Sequence, residues 1–162
     1  MTYTYSFTQQ KAVGTEAEAV LDRWVDQFYR LRPATMAQQR QGIDRQATHR
    51  LTGRQFTLEY KADGRAYATG NAFVETLSVA PDKPGWAVTC TADHILYWVR
   101  NGGLYICRPI ALRAHLPEWR RTCEPRSITN RGYSTKGLLV PLAQFSAASD
   151  LFIPENMLLC KP

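Results

Sequence analysis

Two carboxylates, Asp44 and Glu59, and one ammonium, Lys61, are the side chains best matched to chemistry. Gly42-Ile43-Asp44 is followed by a basic, glycine-containing connection and then by Phe56-Thr57-Leu58-Glu59-Tyr60-Lys61. In a β-strand successive side chains alternate, so Glu59 and Lys61 point to one face while Leu58 and Tyr60 point to the other. A carboxylate beside an ammonium, with a second carboxylate arriving from the preceding strand, can hold a divalent cation and orient a water next to it. Phosphodiester hydrolysis needs that combination.

Charge points the same way. The chain has 162 residues, with 20 Lys+Arg against 14 Asp+Glu and a net charge of +6. Its arginines crowd into residues 40–65 and 100–131, which favours a polyanionic partner over an acidic protein. Arg45, Arg50 and Arg54 flank the candidate centre and are expected to grip phosphates, positioning the strand without reading its sequence. His49, His94 and His115 are isolated from one another. Cys90, Cys107, Cys123 and Cys160 contain no C-x-x-C pair, which argues against a structural zinc site. There is no basic start followed by an apolar run, and no stretch of apolar residues long enough to span a bilayer. A cytoplasmic protein with reduced thiols and no membrane partner is expected.

The elements that must position these groups are legible in part. Ala17, Leu21, Trp24, Val25 and Phe28 recur at helical spacing, predicting a helix over 15–31 that ends before Pro33. Thr15 with Glu18 three residues on has the capping-box pattern. Strands are expected over 41–47, 54–62 and 70–79, and a hairpin over 94–99 and 104–108 about Asn101-Gly102-Gly103. A short helix over 110–121 and, over 138–145, a last strand or a docking segment complete the order. Trp86, Tyr97, Trp98 and Trp119 read as core. The fold class is α/β, a mixed sheet with helices packed on it. The length suits a single domain over 1–162.

The chain resembles the PD-(D/E)XK nuclease superfamily over about residues 11–100. Lys11 to Glu18 is similar to that family's G-x-x-x-E opening of a first helix. Asp44 stands where its first metal-binding aspartate would, with Ile43 in place of the usual proline, and Glu59-Tyr60-Lys61 stands as its E-x-K. Segments 69–75 and 85–94 resemble small bacterial and phage members.

The resemblance implies a restriction endonuclease-like core over about 11–108, with a C-terminal extension over about 109–162 that matches no motif. It implies a Mg²⁺-dependent DNA endonuclease or resolvase, with Mn²⁺ able to substitute. Asp44, Glu59 and the Tyr60 carbonyl would be ligands, and Lys61 would act on the attacking water. Glu18 is either a further catalytic carboxylate or only a helix cap, and Glu75 is either accessory to the site or a solvent-facing strand residue. A homodimer is expected if both DNA strands are cut. The alternative is a non-catalytic nucleic-acid-binding or interaction protein that keeps the fold.

Overall fold

The computed structural model describes residues 7–159, with side chains from Gly14 on. Helix α1 spans Phe7–Asp26. It buries Ala17, Val20, Leu21 and Val25 as one stripe. Thr15 lies inside this helix rather than at its start, so the expected capping box with Glu18 does not form. A capping box does form at Thr35 and Gln38, on the short helix α2 described next.

The helix ends before Phe28, earlier than its apolar spacing predicts. Tyr29–Pro33 is an edge strand, β1. Its Tyr29 and Leu31 pack inward with α1, while Arg30 and Arg32 face away. Helix α2 (Met36–Gln39) leads to β2 (Arg45–His49) and β3 (Gln55–Asp63). Then come α3 (Ala66–Thr69), β4 (Asn71–Val79), β5 (Lys83–Pro84) and α4 (Trp86–Thr89). The expected hairpin is β6 (His94–Val99) and β7 (Gly103–Cys107), turning at Asn101, whose positive φ of 65° suits an asparagine. The chain continues through α5 (Pro109–Thr122), β8 (Glu124–Asn130), β9 (Tyr133–Pro141), α6 (Leu142–Ala147), β10 (Leu151–Pro154) and α7 (Glu155–Leu159).

These elements form a mixed α/β fold with two sheets rather than the one the sequence order suggests. The larger has the order β1-β2-β3-β6-β7-β10, and the smaller β5-β4-β9-β8. Within the larger sheet only β3 and β6 run parallel. A parallel pair requires a long crossover, and here that crossover contains β4, β5 and α4. The third expected strand, 70–79, therefore exists but belongs to the second sheet.

Each face of the larger sheet has its own core. Leu58, Tyr60, Leu96, Trp98 and Leu104 pack against α1 and against Leu158 of α7. On the other face Ile95, Tyr97, Val99, Tyr105 and Cys107 meet Val74, Leu138 and Val140 of the smaller sheet, with Leu112, Leu116 and Trp119 of α5 and Phe145 of α6. Residues 109–159 thus supply α5 and α6 to a core, β8 and β9 to the smaller sheet and β10 to the larger one. That covering layer stops short of β1 and β2, and the candidate residues lie at its margin.

Candidate active site

Parity decides which side chains meet. On β3 the odd residues Gln55, Thr57, Glu59 and Lys61 share a face, and across the ladder Gln46 pairs with Thr57 and Thr48 with Gln55. Asp44, two residues before Gln46, falls on that face too. The pairing of β2 with β3 ends at Arg45 opposite Leu58, and Asp44 closes the gap. Its backbone N–H donates to Leu58 O at 2.8 Å, its carbonyl accepts from Ala34 N–H at 3.0 Å, and its Oδ2 accepts from Tyr60 N–H at 2.8 Å. A carboxylate pinned in this way has little freedom left to lose on taking up a partner.

Glu59 is buried, with only 6% of its side chain exposed against 28% for Lys61, so the ammonium is the end of the pair that reaches solvent. Lys61 donates from Nζ to Glu59 Oε1. Burial pushes the Glu59 carboxyl up to about 7; Lys61 pulls the other way, while the neighbouring Asp44 carboxylate, close enough to hydrogen-bond, adds to the rise. Burial works against the charge on Lys61, but Glu59, Asp44 and Glu75 more than offset it, and its pKa is raised. Lys61 therefore remains an ammonium at neutral pH.

Glu75 arrives from β4 of the smaller sheet. Burial raises its pKa against the pull of Lys61, and its carboxylate accepts from the Trp86 backbone N–H at the start of α4 and from Ser78. The approach is tight: a Cβ at Gly85 would lie 2.5 Å from the Glu75 carbonyl oxygen, so only glycine fits there. Cys90 completes the wall. Its Sγ–H donates to Gly42 O at 3.3 Å and burial pushes its thiol up to about 11, which leaves it neutral rather than nucleophilic.

The structure thus brings Asp44, Glu59, Lys61 and Glu75 together with the Tyr60 backbone, and places Glu18, Arg45, Arg50, Arg54 and the Tyr60 ring elsewhere. Tyr60 projects its ring to the α1 face, where its hydroxyl donates to Asp22 Oδ1 at 3.0 Å. Arg45 has the same orientation, with its guanidinium 5.4 Å from the Tyr60 ring centroid and bonded to both Asp22 oxygens and to Glu18 Oε2, each at 2.9 Å. Glu18 is therefore bound to Arg45 on the side of the sheet opposite Glu59. Asp22, at the centre of this network, carries no motif, and its one sequence signal is a position one turn after Glu18 on α1.

Arg50 is paired with Asp26 at 2.8 Å. Arg54 is exposed beyond the start of β3, five residues and about 17 Å along the strand from Glu59. His49 organises the intervening turn, its Nδ1 accepting from the Leu51 and Thr52 N–H groups.

Among the described residues no group of three or more His, Cys, Asp or Glu side chains is arranged to hold a metal ion. Two converging carboxylates are nonetheless a fitting donor set for a hard cation that keeps most of its waters. Beyond Arg45 the β2 edge of β3 is uncovered, and a strand residue presents its N–H and C=O on one edge, so the Tyr60 carbonyl lies beside the Asp44 carboxylate that takes its N–H.

No protein-family model, curated protein or solved structure matches the chain.

Proposed function

We propose that the chain is a divalent-cation-dependent DNA endonuclease or resolvase of the PD-(D/E)XK type, with a restriction endonuclease-like core. The observation that carries this reading is the convergence of Asp44 and Glu59 on one face, with Lys61 bonded to Glu59 and reaching toward solvent. Asp44, Glu59 and the Tyr60 carbonyl would hold Mg²⁺ or Mn²⁺. Bound there, the cation would supply Lewis acidity to the scissile phosphate and lower the pKa of a coordinated water. The protein's own share is electrostatic. Lys61, held as an ammonium by Glu59, Asp44 and Glu75, orients the attacking water and neutralises charge that grows on the phosphate; it does not take the proton. Glu75 positions that ammonium. Two copies related by a two-fold axis would match the antiparallel strands of a duplex.

Cleavage of linear, branched and single-stranded DNA in Mg²⁺ and in Mn²⁺ tests the reading. Asp44→Asn, Glu59→Gln and Lys61→Ala should each abolish cleavage. Binding should survive the two carboxylate changes, because each removes a negative charge that faces phosphate. If the parent nicks none of these DNAs with either metal, while all three variants bind as it does, the protein is a non-catalytic nucleic-acid-binding protein.

A further inference from the structure

On the face that carries Glu59, the layer covering the larger sheet ends before β1 and β2, leaving an open cleft of about 440 Å³. Its floor is a grid set by strand register. Arg30 lies beside Thr48 and Gln55, and Arg32 beside Gln46 and Thr57. The next row along the same strands is Asp44 and Glu59, about 7 Å further on. Gln38 of α2 closes one end, its Oε1 accepting from Gln46 Nε2 at 2.7 Å.

The charge of this surface is distinctive. Among the described residues neither Arg30 nor Arg32 is in an ion pair, which is also true of Arg54 and Arg131, but these two stand side by side, exposed, on one face of one edge strand. The cleft's one carboxylate, Asp93, is engaged by the Thr57 N–H and hydroxyl at 2.7 and 2.9 Å. Two exposed guanidinium groups amid neutral amides and hydroxyls match phosphate oxygens and sugar and base edges better than an apolar or cationic ligand.

We propose that this cleft is the groove that holds the DNA backbone, with Arg30 and Arg32 gripping phosphates on one side of the scissile bond and the strand passing on to Asp44 and Glu59. The identity of the occupant rests on the nuclease reading; the groove itself rests on the grid and its unpaired arginines. Both arginines are exposed on an edge strand, so their replacement leaves both cores intact.

The test is fluorescence anisotropy of a labelled DNA oligonucleotide, single-stranded and duplex, titrated with the parent, Arg30→Gln/Arg32→Gln and the exposed-turn control Arg131→Gln. EDTA keeps the DNA uncut. The slope of log K against log salt should fall in magnitude by about 0.9 per arginine on duplex and about 0.7 on a single strand. At ~0.1 M salt the double variant should then bind a single strand roughly 25-fold more weakly, with Arg131→Gln unchanged.

Parental affinity and slope in the double variant overturn the groove. So does a parent that binds no DNA, or one that prefers RNA of the same sequence. Metal-dependent cleavage is measured separately. Loss of binding in the double variant alongside a parent that never cleaves keeps the groove and removes the nuclease; undiminished binding and cleavage in the double variant does the reverse.

Discussion

Glu59 ties pH to stability. Its carboxyl titrates near 7 in the folded protein against an ordinary 4.5, so between those values the folded state holds a proton that the unfolded chain has released. The sign follows: this group's contribution is most favourable below pH 4.5, is lost as pH rises to about 7, and is flat above that. The full change is roughly 3 kcal/mol, about 1.4 kcal/mol for each pKa unit. Thermal melts should therefore show higher stability at pH 5 than at pH 8, and Glu59→Gln should flatten that difference. Mg²⁺ should raise the melting temperature of the parent at pH 8 and do so far less in the variant. An unchanged pH profile in Glu59→Gln would assign the dependence to other groups. The same residue was legible in the sequence because strand alternation needs only local periodicity. Glu18 was not, since its partner Arg45 is 27 positions away and faces the opposite side of the sheet from Glu59.

At the scale of elements, α1 and the site lie on opposite faces of one sheet, and this separates stability from chemistry. Leu21 is fully buried among Leu58, Tyr60 and Leu96. Leu21→Ala should cost about 2–5 kcal/mol in denaturant unfolding, through lost transfer energy and the cavity left behind. Metal affinity at Asp44 and Glu59 should hold below the transition, and a parallel loss of metal binding would show that the two faces are coupled. The hairpin of β6 and β7 was readable from its turn residues, and α5 from its apolar spacing. Strand β1 was hidden because Trp24 and Phe28 carry a helical spacing past the true end of α1. The strand's own signal was brief: Tyr29-Arg30-Leu31-Arg32 alternates with period two, and neither of its arginines is in an ion pair. Arg45, Arg50 and Arg54 attracted notice by their nearness in sequence to Asp44, but two of the three are neutralised by carboxylates of α1.

At the scale of the molecule, what the sequence concealed was the second sheet. Strand propensity shows that residues 70–79 are extended, yet it says nothing about their partner, and β4 pairs with β9, whose first residue, Tyr133, lies far along the chain from Asn71. The parallel pairing of β3 with β6 obliges the chain to leave the larger sheet after Asp63 and return at His94, and the excursion carries Glu75 to Lys61. Lys61 consequently feels carboxylates of both sheets, hydrogen-bonded to Glu59 in one and attracted electrostatically by Glu75 in the other. It acts as a second rivet across the seam, beside the Phe73 N–H of β4 that donates to Asp63 Oδ2 of β3 and to the Tyr97 hydroxyl of β6. Lys61→Met should loosen that seam, seen as faster amide hydrogen exchange in β4 near Glu75 than in β2, where the ladder with β1 is untouched. Equal protection in both strands would show that apolar packing and the Phe73 bonds to Asp63 and Tyr97 close the seam without Lys61. If the proposed nuclease reading holds, a phosphate that draws the ammonium toward itself would work against the same rivet, so that engaging it and relaxing the joint between the two sheets would become one event.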